Sequence, residues 1–168
     1  MQREIAALFR QLSGGVYVVG VADGNRRNGF TAAWIMQVSF DPLLVALAIN
    51  PGHASYPLLL ESGAFAVSVL ERGRLDLAQA FGTRSGRDVD KLAAVRWRAA
   101  GSGAPVLEDA AAFFDCRVVS HHPAGDHEMV IARVVDGGVV APAAERMLYV
   151  ETGNLDESEA LYPERLSQ

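Results

Sequence analysis

Four histidines are the residues of this chain best suited to acid–base or metal chemistry. His121, His122 and His127 gather around the turn Pro123-Ala124-Gly125-Asp126, and His53 lies apart. Adjacent residues on a strand point to opposite faces, which works against His121 and His122 sharing an ion, and no further carboxylate or cysteine stands at a recognisable ligand spacing. They read as a solvated strand end, and no metal site is expected. His127 differs, because Gly125-Asp126 is a tight-turn dipeptide able to deliver the imidazole to the mouth of a barrel, with Asp126 close enough to influence its charge. The competing reading is an ordinary turn histidine, which spacing alone favours.

Two further segments have binding chemistry. From Asn28 through Gly29-Phe30-Thr31-Ala32-Ala33-Trp34 to Ser39-Phe40-Asp41-Pro42, small and hydroxyl residues interrupt an otherwise bulky run. Small side chains let a flat ligand reach the backbone, although a bent barrel strand with a tight corner at Ala32-Ala33 explains them equally well. In His53-Ala54-Ser55-Tyr56-Pro57 a helix opens, and its free N–H groups with the Ser55 hydroxyl form an anion site; a simple helix cap is the commoner role for such a serine. Arg84, Arg87 and Lys91, interleaved with Thr83, Ser85 and Gly86, would add positive charge to a phosphate site or form a solvated loop.

Other chemistries lose their usual supports. Gly101-Ser102-Gly103 is followed by Ala104-Pro105-Val106, so the third glycine of a dinucleotide fingerprint is missing. Phosphate-loop, nucleophile-elbow and paired-cysteine zinc patterns are absent from the sequence. Cys116, within the apolar run Phe113 to Val119, reads as a buried filler.

The elements that must position these groups are mostly strands. Ile5, Leu8, Phe9 and Leu12 make one apolar stripe at helical spacing, ended by Gly14-Gly15, which predicts an N-terminal helix over about 3–13. Runs rich in β-branched and aromatic residues follow at 16–21, 30–40, 44–50, 64–70, 115–121, 128–136 and 147–152, about seven strands in all. Asp23-Gly24-Asn25 and Asn28-Gly29 read as turn or loop signals. Short helices are expected at 55–62, around Leu75, Ala78 and Phe81, and at 88–95. Strands joined by short turns, without regular β–α alternation, predict a mainly β fold: a mostly antiparallel barrel with peripheral helices.

The chain has 168 residues, half of them hydrophobic, enough for one domain with a packed core. Its 15 Lys and Arg against 20 Asp and Glu give a net charge of −5, and no basic run stands out, so nucleic acid is not an expected partner. The longest apolar stretch, Pro42 to Ile49, falls far short of the roughly 20 residues that cross a bilayer. Arg3 and Glu4 sit where a signal peptide would turn apolar. No membrane association is expected, and the chain reads as cytoplasmic.

Taken together, the segments resemble the flavin reductase family, FMN-binding split-barrel proteins that include reductase components of two-component flavin-dependent monooxygenases and flavoredoxins. The resemblance is carried by Gly29 to Trp34, Ser39 to Pro42, Phe65 to Leu70, Leu77 to Phe81, Asp90-Lys91-Leu92, Phe114 to Val118 and Gly125-Asp126-His127. It implies one flavin reductase-like FMN-binding split β-barrel domain over 1–168; the more polar composition of about 154–168 reads separately as an arm loosely docked on the barrel or, in an oligomer, reaching a neighbour. The resemblance also implies a homodimer in which hydride passes from NADH or NADPH to FMN, with FAD as the alternative flavin, and reduced flavin goes to a partner monooxygenase. By the same resemblance, Thr31, Ala32, Ala33 and Trp34 lie along the isoalloxazine, while Ser39, Asn50 and Ser55 address the ribityl and phosphate side. Phe81, Gly82 and Lys91 complete the pocket, and His127 is the catalytic histidine beside the nicotinamide. Ala33-Trp34 replaces the polar pair of many relatives and resembles the flavoredoxin-like branch, so an FMN-binding electron carrier without multiple turnover is the alternative. A small barrel holding haem or another flat ligand is a third reading.

Overall fold

The computed structural model describes residues 2–166. Helix α1 (Gln2–Phe9) leads into a run of strands: β1 (Tyr17–Asp23), β2 (Arg26–Ala32), β3 (Ile35–Ser39) and β4 (Leu44–Ile49). Helix α2 (Tyr56–Ser62), β5 (Ala64–Val69) and α3 (Leu75–Gly82) follow. The small strands β6 (Trp97–Ala99) and β7 (Pro105–Leu107) precede the long hairpin of β8 (Ala112–Ala124) and β9 (His127–Val139). Two short 3-10 turns, Tyr149–Thr152 and Ser158–Leu161, close the described chain.

Seven strands form one antiparallel sheet in the order β2-β1-β5-β8-β9-β4-β3. Its two edges, β2 and β3, are consecutive in the chain and separated only by Ala33 and Trp34. A two-residue link spans too little distance for the edges to lie apart, so the sheet curls until they meet at one corner. There the Ala48 N–H donates to the Trp34 carbonyl at 3.0 Å. β2 and β3 share no ladder, and the barrel is split between them.

Alternation along the strands sorts side chains to two cores. Val19, Val21, Phe30, Leu47, Ile49, Phe65, Val67, Cys116 and Val130 pack together in one. Val16 and Val18 point the other way, to a cluster with Leu77, Ala78 and Phe81 of α3 and with Leu92, Leu107 and Met147. All six residues of β5 are buried, because both of its faces are covered. Where β7 crosses β1 the backbones nearly touch: a Cβ on Gly20 would lie 2.0 Å from the Pro105 carbonyl oxygen, so only glycine fits.

Several sequence expectations meet a different local structure. The run at 30–40 is broken at Ala33-Trp34, because the barrel turns its corner there. Asn28-Gly29 lies inside β2 and makes no turn, whereas Asp23-Gly24-Asn25 does connect β1 and β2. The expected helix at 88–95 is a series of turns: Asp90 Oδ1 accepts from the Leu92 N–H at 3.1 Å and Ser85 Oγ accepts from the Arg87 N–H at 3.1 Å, local bonds that compete with helical ones. The expected strand at 147–152 makes one bridge, Gly15 to Leu148, and then coils as Glu151 accepts from the Leu148 N–H at 2.7 Å. The N-terminal helix ends at Phe9 rather than at about 13. The β6–β7 hairpin, turned by Gly101-Ser102-Gly103, has no alternating pattern long enough to announce it. Among the described residues no helix is long and apolar enough to cross a membrane.

The Gly20 contact gives a direct test. Gly20→Ala should lower stability by about 2 kcal/mol or more through overpacking against Pro105. The unfolding midpoint in urea checks this; an unchanged midpoint would mean that β7 does not rest on β1.

Candidate functional site

The corner that splits the barrel also opens a cavity of about 360 Å3. Its inner wall is Phe30, Thr31, Ala32, Ala33 and Trp34 with Ala48, Ile49 and Asn50 from the end of β4. His53, the β8–β9 turn residues Asp126 and His127, and Tyr149, Asp156, Ser158, Leu161, Tyr162 and Pro163 complete it. The small side chains of Ala32 and Ala33 leave the inner wall shallow. As an edge strand paired only with β1, β2 turns alternate backbone N–H and C=O groups away from the ladder.

At the mouth the Trp34 and His127 rings stand 4.8 Å apart at 52°. The indole is 57% exposed, an uncommon state for a tryptophan and one that a stacked ligand would relieve. His127 Nδ1 lies 2.7 Å from Asp126 Oδ1. Since a carboxylate only accepts, Nδ1 carries the proton and Nε2 of the neutral ring is left as an acceptor. The hydrogen bond from His127 in turn holds the Asp126 carboxyl below its ordinary range.

His53 is of a different kind. Its ring packs 4.7 Å from Phe30, and Nδ1 accepts from the Ser55 N–H at 3.3 Å, which places a neutral ring's proton on Nε2. Burial, with the charges of Lys91 and Arg87 adding to it, pushes its pKa down to about 4.

Behind His53 lies a second cleft of about 530 Å3, lined by Arg26, Arg27, Arg87 and Lys91 together with Asn28, Gly86 and the carboxylates Asp88 and Asp90; Arg26 is paired with Asp23 and Glu61, and cations outnumber carboxylates in the lining. Lys91 is buried, and its Nζ donates to the carbonyls of Gly29 and Phe81, both at 2.9 Å. Desolvation lowers its pKa to about 8. This ammonium joins β2 to the C-terminal end of α3, where a cation also complements the helix dipole.

The structure therefore distributes the sequence candidates unevenly. Thr31, Ala32, Ala33, Trp34, Asn50 and His127 share the first cavity, although the Thr31 hydroxyl turns back to donate to the Ala78 carbonyl at 2.8 Å. Lys91 lines the second cleft. Ser55 is fully buried and caps no N–H of α2; its Oγ accepts from Asn28 Nδ2 at 3.0 Å. Phe81 sits in the core, Gly82 packs against Thr31, and Ser39 ends β3 opposite Leu44, outside both clefts. His121 pairs with Glu128 at 2.8 Å and His122 with Ser120 at 3.0 Å, on the hairpin rather than around a shared point. Cys116 is buried, its thiol pushed up to about 12 mainly by desolvation, so it is no nucleophile. Absent from the sequence candidates are the wall residues after Tyr149, whose segment has no periodic pattern; Tyr162-Pro163, an aromatic beside a turn former in a polar tail, was the available signal.

A mainly apolar cavity with a free backbone edge, beside a cleft where cations outnumber carboxylates, suits a planar ring system with a phosphorylated tail. The comparisons agree with that class. Residues 9–157 match the flavin reductase like domain, and the chain belongs to this family. It is 34% identical over 150 residues to the FMN reductase (NADH) RutF 1 of a Methylorubrum extorquens strain, covering 87% of this chain and 74% of that protein. The NADH:FAD oxidoreductase SgcE6 of Streptomyces globisporus C-1027 superposes with a TM-score of 0.80 at 31% identity, over 88% of this chain and 87% of that one. An FMN-binding protein from Thermus thermophilus gives a TM-score of 0.73 at 33% identity, over 77% and 73% of the two chains. One solved relative, from Sinorhizobium meliloti 1021, is longer, and this chain spans 50% of it.

The state of His53 sets a pH dependence. Its folded pKa of about 4 lies below the usual 6.5, so its contribution to stability is present above pH 6.5 and is lost as pH falls towards 4. His53→Gln should flatten the decline of the unfolding midpoint over that window. An identical decline in the variant would place the acid sensitivity elsewhere.

Proposed function

We propose that this chain is an NADH-dependent flavin oxidoreductase that reduces FMN, with residues 1–168 acting as one split-barrel domain. The observation that carries this reading is the Trp34–His127 cavity walled by the free edge of β2, with the Lys91 cleft lying on the other side of His53-Ala54. The relatives named as an FMN reductase (NADH) and an NADH:FAD oxidoreductase support it. When both nucleotides are bound, hydride passes from the nicotinamide to the flavin, chemistry that belongs to the two ring systems. The protein binds, stacks and orients them. Backbone groups from Thr31 to Trp34 would run along the flavin ring, Asn50 would serve its ribityl side, and Phe81, Gly82 and Lys91 would shape the pocket from behind; Ser39 and Ser55 present no group to either cleft and hold no place in this reading. His127, its tautomer set by Asp126, orients the nicotinamide.

The chain works in this reading as a cytoplasmic homodimer that hands reduced flavin to a monooxygenase. Support for self-association comes from β3, an unpaired sheet edge that exposes Met36 and Val38 ahead of Phe40. Leu43, Phe114, Val135 and Val139 line a neighbouring groove and are likewise exposed. A retained-flavin carrier is the second reading, favoured by the likeness to the Thermus FMN-binding protein.

Steady-state NADH oxidation with excess FMN separates the two. A reductase turns over continuously, whereas a carrier consumes about one equivalent per bound flavin and stalls. In the reductase, His127→Ala should lower kcat/KM for NADH by about 10- to 100-fold and change FMN affinity, read by flavin fluorescence quenching, by less than about 2-fold. Equal losses in both would remove His127 from the nicotinamide.

A further inference from the structure

We propose that the C-terminal segment 156–163 forms the outer wall of the donor site, with Leu161 and Tyr162 as specificity-determining contacts for the reduced nicotinamide. This rests on the flavin reductase reading of the cavity. Ser158, Leu161, Tyr162 and Pro163 line the cavity, yet they fall after residue 157, where the match to the family domain ends. Most of the wall thus lies past the matched stretch of the barrel.

It is held in place by specific bonds. The Tyr149 hydroxyl, kept protonated by burial, donates to Asp156 Oδ2 at 2.9 Å and lies 3.0 Å from Ser158 Oγ. The N-terminal end clamps the same segment from the other side: Arg10 pairs with Glu159 at 3.1 Å and donates to the Gly153 carbonyl at 2.8 Å. Gln2 Nε2 donates to the Tyr162 carbonyl at 2.9 Å, and the Phe9 and Tyr162 rings stack at 5.5 Å. Exposed ion pairs contribute little singly, so the clamp depends on their combination with the stacked rings.

The wall's position assigns its target. On the proposed reading Thr31 to Trp34 hold the flavin ring, and the segment lines the same cavity as His127, beside which a second ring would sit. Leu161 lines this cavity with 83% of its surface in water, an apolar group left for an entering ring to cover.

The test uses the full chain with Leu161→Ala and Tyr162→Ala combined, and separately Arg10→Ala, which frees the clamp without altering a lining residue. KM for NADH, kcat, the calorimetric Kd of NAD+ and the Kd of FMN by fluorescence quenching are measured for each. The double variant should raise KM for NADH and Kd for NAD+ about 5-fold, with FMN affinity changed less than about 2-fold and kcat nearly kept. Arg10→Ala should move the same constants in the same direction. Unchanged nicotinamide constants in the double variant, or FMN affinity falling in proportion, would overturn the wall. A wild-type chain that binds FMN but oxidises no NADH would instead overturn the flavin reductase reading.

Discussion

The Ala33-Trp34 link between β2 and β3 governs the rest of the molecule. Two residues must connect the opposite edges of a seven-stranded sheet, and the sheet has no way to satisfy that except by curling. Curling brings the end of β4 and the β8–β9 turn to the same corner, which is how Asn50, His127 and Trp34 meet although they are distant in sequence. It also leaves β2 and β3 without mutual hydrogen bonds. The free backbone edge that results is at once the cost of the split and the surface a heterocycle can pair with.

Charge then divides the site in two. The corner cavity carries carboxylates at Asp126 and Asp156 and histidines at His53 and His127, but its described lining holds no lysine or arginine. Behind it lie four cations, Arg26, Arg27, Arg87 and Lys91, against two carboxylates, Asp88 and Asp90. His53 stands between, made neutral by burial and by the cations at its back, so a ring in front of it meets an uncharged aromatic surface. Lys91 belongs to this partition in an unexpected way. Its ammonium is spent on the Gly29 and Phe81 carbonyls, so its first service is to fix β2 against α3, and any charge it offers a phosphate comes from a side chain already held.

Much of this was legible in the residues. Runs rich in β-branched and aromatic residues announced the strands because such side chains fit a pleated, half-buried surface, and Gly125-Asp126 announced the turn that presents His127. The break at Ala33-Trp34 was not legible as a strand end, since neither residue is a turn former; only closure of the barrel places it there. The helix expected at 88–95 failed because Ser85 and Asp90 satisfy the backbone locally, which an apolar count does not register. Ser55 was read as part of an anion site, or else a simple cap, at the start of a helix, yet its hydroxyl oxygen accepts from Asn28, a residue 27 positions away that local reasoning cannot bring near. The C-terminal wall was hidden for the same reason: its partners are Gln2, Phe9 and Arg10, at the far end of the chain.

That last pairing shows how one barrel can acquire new selectivity without being rebuilt. Changes to the inner wall would act on β2, whose Gly29 already has no room for a Cβ against Phe81 and whose Asn28 fills the space beside Gly86. Substitution there disturbs packing and site together. A terminal segment is under no such constraint, since it lies outside both cores and can change sequence at little cost to the sheet. Because the segment lines the cavity, even a short tail can touch a ring bound there. Binding differences can thus be tuned where folding is least affected.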